Sequence, residues 1–242
     1  MAHFLDTVET IGEGLGFPLF GKVHIVWLLF AVTIIVLNAF LYQRLNPARR
    51  KVWRFVIAAL LLADEAFKMI ILFAGGNYLA DYLPLHLCSI NIFLVAYHSV
   101  RPSNTLSNFL YMVCIPGALA ALLFPSWAAL PPTSGMHIHS FTVHILLVMY
   151  PFVLAVNGDI SASLRAVPKS FLMLIVMAII IYPVNLLLDT NFMFLMYADP
   201  GNPLYWFGEN WGSHLLGFPV IIAGVLIVLY LPLELYRRIK KV

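Results

Sequence analysis

The run VHIVWLLFAVTIIVLNAFLYQ, residues 23–43, holds no Asp, Glu, Lys or Arg, and the stretch that follows it, RLNPARRK at 44–51, holds four basic residues. A helix rising ~1.5 Å per residue needs ~20 such residues to cross a hydrocarbon core of ~30 Å. The stretch therefore reads as a membrane-spanning helix with a positive flank. Working outward from it, further apolar runs lie at about 53–74, 84–100, 107–124, 139–157, 170–188 and 214–236. They are continuously apolar rather than alternating, and backbone groups in lipid must bond within their own segment, so helices are expected and a β-barrel is not. The expected fold is all-α: a polytopic bundle of seven transmembrane helices over residues 23–242.

Composition points the same way. The 242 residues are 62% hydrophobic and 10% charged, with a mean hydropathy of +0.92. Soluble domains carry ~25% charged residues. The net charge of +3 is spent in short clusters between apolar runs, which leaves no basic face for a nucleic acid partner. Cys88 and Cys114 both lie inside apolar runs, so no disulfide framework is expected.

The basic clusters orient the bundle. Arg44, Arg49, Arg50, Lys51 and Arg54 follow the first run, Arg101 the third, Arg165 and Lys169 the fifth, and Arg237, Arg238, Lys240 and Lys241 the seventh. The loops after the second, fourth and sixth runs have no Lys or Arg. By the positive-inside rule the N-terminus is expected outside and the C-terminus in the cytoplasm. Residues 1–22 are then extracytoplasmic. Asp6, Glu9 and Glu13, with no basic residue among residues 1–20, are the wrong start for an export signal. The segment could form a short interfacial helix ended by Gly14, Gly16 and Pro18. The loop at 189–213 has Tyr197, Tyr205, Trp206, Phe207 and Trp211 beside Asp199, Pro200, Gly201 and Pro203, which suggests an ordered aromatic lid in the outer interface.

Ionisable groups inside a span are costly and default to functional candidates. Asp64, Glu65 and Lys68 lie in the second run. Lys68 can pair with Asp64 at i,i+4 or with Glu65 at i,i+3, and either choice leaves one carboxylate that needs a partner on another helix. A neutralised structural clasp and a gate or relay are both open readings. In the third run Cys88 and Asn91 share a helix face, ~6 and ~10 Å below the outer end, while His86 takes another face. His144 in the fifth run lies ~7 Å below the same end, and Tyr182 and Asn185 in the sixth are also in the outer half. His98 is expected near the cytoplasmic interface, and Cys114 as a small buried hydrophobe.

A thiol with an imidazole base suits acyl transfer or ester hydrolysis at lipid-carbonyl depth. In that reading Cys88 is the nucleophile, His144 the base and His86 a second acid, base or donor. Asn91, Asn185, Tyr182, Glu65, Lys68, Trp206 and Trp211 line the substrate. Two alternatives stand beside it. One is a non-catalytic lipid or solute binder or transporter built on the same polar cluster. The other is a zinc-dependent hydrolase using His137, His139 and His144, although H-x-H-x4-H is not a known zinc spacing and the first two histidines are expected above the membrane. No cofactor and no resident metal are expected.

The stretch Leu83-Pro84-Leu85-His86-Leu87-Cys88 resembles the LPLHLC signature of the YwaF-like bacterial integral membrane proteins. So do Gly117-Ala118-Leu119-Ala120-Ala121-Leu122-Leu123 with Pro125, Phe141 with His144, and the stretch from Asn185 to Leu195. The chain departs from that pattern at Val143-His144-Ile145, at Asp189 and at Asn210-Trp211-Gly212-Ser213. The resemblance implies a prokaryotic plasma-membrane (inner-membrane) protein whose partner is a membrane lipid. It also implies a distant similarity to a eukaryotic transmembrane phospholipid acyltransferase using a cysteine and a histidine, and to androgen-induced lipid hydrolases using a threonine and a histidine. By that analogy His144 matches the histidine, whereas the cysteine position falls on Leu85.

Overall fold

Caps and prolines cut the apolar runs into helices. In the computed structural model, which describes residues 3–200 and 202–240 apart from the side chains of 232 and 234–240, nine α-helices follow one another. The side chains of Arg237, Arg238 and Lys240, and all of Lys241 and Gly201, lie outside the described residues. Helix α1, Lys22–Gln43, covers the first run. Helix α2, Pro47–Ala74, starts earlier than expected because Asn46 accepts the Arg49 N–H and Pro47 sits in the first turn, so the helix runs straight through the basic cluster.

Helix α3, Leu87–Val100, starts later. Pro84 forces the preceding Leu83 into an extended conformation (φ −53°, ψ 144°). Only His86, also extended, leads into the helix. The LPLHLC stretch is thus mostly a turn rather than the first turn of a regular helix. Next come α4, Asn104–Phe109, a π-turn over Leu110–Cys114, and α5, Ile115–Leu123. Pro116 has no N–H to give the Met112 carbonyl, and a π-turn is how a continuous helix absorbs that loss. Helix α6 is Gly135–Val156, α7 is Val167–Leu188, α8 is Tyr205–Trp211 and α9 is Gly217–Lys240.

Six of the helical stretches are long and apolar enough to cross a membrane: Lys22–Gln43, Ala80–Val100, Asn104–Leu123, Gly135–Val156, Leu164–Leu188 and His214–Leu231. The expected span at 53–74 lies in α2. That helix is long enough, at about 42 Å, but it carries three charged residues within one turn and a half, Asp64, Glu65 and Lys68. Helices α4 to α6 form the centre of the bundle. The outward faces of α1, α7 and α9 are apolar and exposed, as at Val26, Leu29, Ile179, Leu187 and Val228, which suits lipid contact.

The connections sort to two ends. At one end, residues 3–20 form a strap of successive turns, not the interfacial helix expected. Gly12, Gly14 (φ +79°), Gly16 and Pro18 explain why. The strap is stitched down by Gly135 N–H to the Phe4 carbonyl and Phe17 N–H to the Ala128 carbonyl, each 2.9 Å. Asn77 Nδ2 bonds the Leu5 carbonyl at 2.9 Å, and the Tyr82 hydroxyl donates to Glu9 at 2.6 Å. At the other end Asp159 accepts from the Tyr42 hydroxyl and from Arg50 at 2.8 Å, with Arg54 3.5 Å away. His98, expected at the interface, is instead buried: one ring nitrogen meets the Tyr150 hydroxyl and the other Ser107 Oγ, both at 2.8 Å.

Candidate functional site

The charges of α2 resolve first. Lys68 Nζ lies 2.5 Å from Glu65 Oε1, with side chains only 6% and 9% exposed, so the i,i+3 pairing is the one formed. Asp64 is the carboxylate left over, and its partners are on α6. Thr142 Oγ1 donates to Asp64 Oδ1 at 3.0 Å, and His139 Nδ1 lies 3.2 Å from both Asp64 Oδ2 and the Asp64 carbonyl. Thr142 is the residue sequence reasoning missed here, and His139, considered there only as a zinc ligand, is the other partner. Because α6 begins at Gly135, with Ser134 Oγ accepting the His137 N–H at 3.4 Å, both His137 and His139 belong to the helix rather than to a loop above it. The signal that could have found the pair was the unpaired α2 carboxylate itself, set against a histidine and a threonine three apart on α6.

The three histidines of α6 go separate ways. His137 Nδ1–H donates to the Leu130 carbonyl at 3.2 Å, and its Nε2 accepts from Trp27 at 2.9 Å. His139 faces Asp64. His144 Nδ1–H donates to the Ser140 carbonyl at 2.6 Å, and its ring stacks on Trp127 with centroids 5.2 Å apart and planes 14° apart. Among the described residues no group of three His, Cys, Asp or Glu converges on a common point, so geometry does not support the zinc arrangement.

A carbonyl oxygen can only accept, so the Ser140 bond puts the proton of His144 on Nδ1. Nε2 then carries a free lone pair. One turn further along α6, the Leu147 carbonyl accepts from Cys114 Sγ at 3.3 Å. Cys88 is a free, half-buried thiol on α3. Asn91, three residues on and on the same face, is 2% exposed, and its Oδ1 has no partner. No hydrogen bond joins Cys88 to His86 or His144.

The remaining candidates are more dispersed. His86 leads into α3 with its ring edge-on to Phe192, centroids 5.1 Å apart, and with the charges of Lys68 and Asp81 in reach. Asn185 is occupied by its own loop. Its Oδ1 accepts from Phe192 N at 2.8 Å and Thr190 Oγ1 at 3.1 Å, and its Nδ2 donates to the Phe192 carbonyl at 3.0 Å. That is a structural clasp holding the turn after α7, where Asp189 takes φ 53°. Tyr182 is 48% exposed, turned out from the bundle. Trp206 and Trp211 are half-exposed on α8, packed with each other and with Phe207 at centroid distances of 5.0–6.1 Å. An open cleft of about 410 Å³ lies between the strap and Ala128–Ala129, lined by Val8, Ile11, Glu13 and Phe17, and holds none of these residues.

The sequence model of the TMEM164 family matches residues 19–230, from the end of the strap well into α9. No curated protein and no solved structure matches the chain.

Proposed function

The chain belongs to the TMEM164 family of membrane proteins, and from that premise we propose that it is an intramembrane lipid enzyme moving or hydrolysing the acyl group of a phospholipid-like substrate. The observation that supports this reading is the free Nε2 lone pair of His144, left open by the Nδ1–H bond to the Ser140 carbonyl, with the free thiol of Cys88 on α3 as the nucleophile it would serve. In the reaction Cys88 Sγ adds to the acyl carbonyl carbon while its proton passes to His144 Nε2. The tetrahedral intermediate collapses, expelling the lipid alkoxide, which takes that proton and leaves a thioester. A second lipid hydroxyl, or water, then attacks the thioester, gives its proton to Nε2, and the departing thiolate recovers it. Asn91 is available to orient the thiol. His86, two residues before Cys88 on the approach to α3, serves as a second proton carrier.

In this reading α2 is a seventh span. Its three charged groups meet partners inside the bundle, Glu65 meeting Lys68 and Asp64 lying against His139 and Thr142, so the helix does not present them to lipid. The same pairing favours a clasp over a proton-coupled transport relay. With Arg44, Arg49, Arg50, Lys51, Arg54, Arg101, Arg165 and Lys169 toward the Asp159 end and Lys22 at the strap end, the strap end faces outside in this reading and the Asp159 end the cytoplasm of a plasma membrane.

The test is lipid mass spectrometry on purified protein in nanodiscs containing mixed phospholipid and lysophospholipid, comparing wild type with Cys88→Ala and His144→Ala. New acyl species in wild type alone support the mechanism. Turnover unchanged in both variants, or no turnover in wild type, overturns it. Activity that survives only in Cys88→Ala would make water or another hydroxyl the nucleophile.

A further inference from the structure

Three of the five tryptophans are inside the bundle, and two of those have an acceptor for the indole N–H: Trp27 bonds His137 Nε2 at 2.9 Å and Trp53 bonds Asn38 Oδ1 at 3.1 Å. Trp127 is 6% exposed and its Nε1–H has none. An indole nitrogen is a donor only, and buried donors are almost always paired, so an orphan of this kind calls for an explanation. Trp127 is not misplaced. Its face lies on the His144 ring and its edge meets Phe141, with centroids 5.2 Å apart in both contacts. The loop carrying it is pinned by Phe17 N–H to the Ala128 carbonyl and by Leu130 N–H to the Trp127 carbonyl.

The stacking has a directional consequence. Both the indole N–H and the imidazole Nε2 lone pair point within the planes of their rings. With the rings stacked and their planes only 14° apart, the two groups do not point at each other. His144 Nδ1 is already committed to Ser140. Each ring therefore keeps one nitrogen, a donor in Trp127 and an acceptor in His144, that the other does not satisfy. Such a pair matches a reacting centre that offers an oxygen to the donor while yielding a proton to the acceptor.

We infer that Trp127 Nε1–H donates to the acyl carbonyl oxygen of the lipid and is the group that stabilises the oxyanion formed when the nucleophile adds to that carbonyl carbon. This rests on the acyl-transfer reading of Cys88 and His144 and adds a residue to it. As the carbonyl π pair moves onto oxygen, the bond from the indole strengthens. The donor is thus worth most in the transition state and is held in place by His144 and Phe141 before substrate arrives.

Trp127→Phe keeps an aromatic face on His144 and removes only the donor. The expected result is a fall in kcat of ~10²–10³-fold with KM little changed and a thermal midpoint no lower than wild type. A kcat within threefold of wild type overturns the inference while leaving Cys88 and His144 intact. A second readout does not need turnover: resonance Raman of the indole N–H band, as the wild type minus Trp127→Phe difference, in nanodiscs of diacyl or of dialkyl-ether phosphatidylcholine. A shift to the hydrogen-bonded position with the diacyl lipid alone supports a carbonyl acceptor. An equal shift with both lipids assigns the donor to phosphate oxygen, and no shift with either means it has no lipid partner. Both results reject the proposal, even if wild type turns over no lipid.

Discussion

Lys68→Met should cost far more than the double variant Glu65→Leu/Lys68→Met. The pair lies 2.5 Å apart with side chains 6% and 9% exposed, so solvent screening is slight. At an effective dielectric of ~20 the attraction at that separation is about 6–7 kcal/mol, most of which is offset by the cost of taking both charges out of water. Removing the ammonium alone leaves Glu65 buried with no compensating charge, and Glu65 Oε2 already has no hydrogen-bond partner. The expected loss is ~3–5 kcal/mol. Replacing both residues with apolar side chains of similar bulk removes attraction and desolvation together, and should fall within ~1 kcal/mol of wild type. The assay is reversible unfolding in mixed micelles by SDS titration, followed by tryptophan fluorescence and far-UV circular dichroism. A single variant as stable as wild type would refute the burial argument. A double variant as damaged as the single would show that the charges themselves, rather than their mutual neutrality, are required.

Two further outcomes follow from the packing. Gly16→Ala would put a Cβ 2.1 Å from the Ala128 carbonyl oxygen and 2.7 Å from the Ala129 Cα, both backbone, at a cost of ~1–3 kcal/mol; limited proteolysis should then cut within residues 3–20 while the helices stay protected, and an uncut strap would show that the contact is not needed. A double-mutant cycle of Asp64→Ala with Thr142→Val should return a coupling of ~0.6–1.7 kcal/mol in thermal unfolding, the scale measured for interhelical hydrogen bonds in membranes, whereas additive effects would mean the 3.0 Å contact contributes nothing to α2–α6 association.

How much of this was legible in the sequence depends on the range of the interaction concerned. Helix existence was readable because apolar length is a local property, and the runs at 23–43 and 170–188 coincide with α1 and α7 to within a few residues. Boundaries were readable only where a cap or proline declares itself, as Asn46-Pro47 does for α2. At α3 the effect of Pro84 on Leu83 moved the start by three residues, from 84 to Leu87. That shift takes His86 out of the helix and undoes any helical-wheel placement of it against Cys88. The strap was misjudged because its acidic residues scan as one face of a helix, while its glycines make turns cheap and the ends of α2 and α6 supply the hydrogen bonds.

The candidate site shows the same division more sharply. That polar groups gather in the same half of several helices follows from helix rise alone, because depth needs only a residue's distance from the end of its own span. Which of them meet depends on rotation and register between helices. Asn185 looked available and is consumed by the turn that follows it. His139 looked external and lies 3.2 Å from the carboxylate that Lys68 leaves unpaired on α2. Trp127, in a proline-rich loop with nothing local to mark it, lies against His144 only because the strap and the start of α6 hold that loop over the bundle. Composition and periodicity determined that this chain is a helical membrane protein, since transfer to lipid is decided residue by residue. Pairing across helices is decided by how those helices turn toward one another, and only the tertiary structure settled which ring faces which.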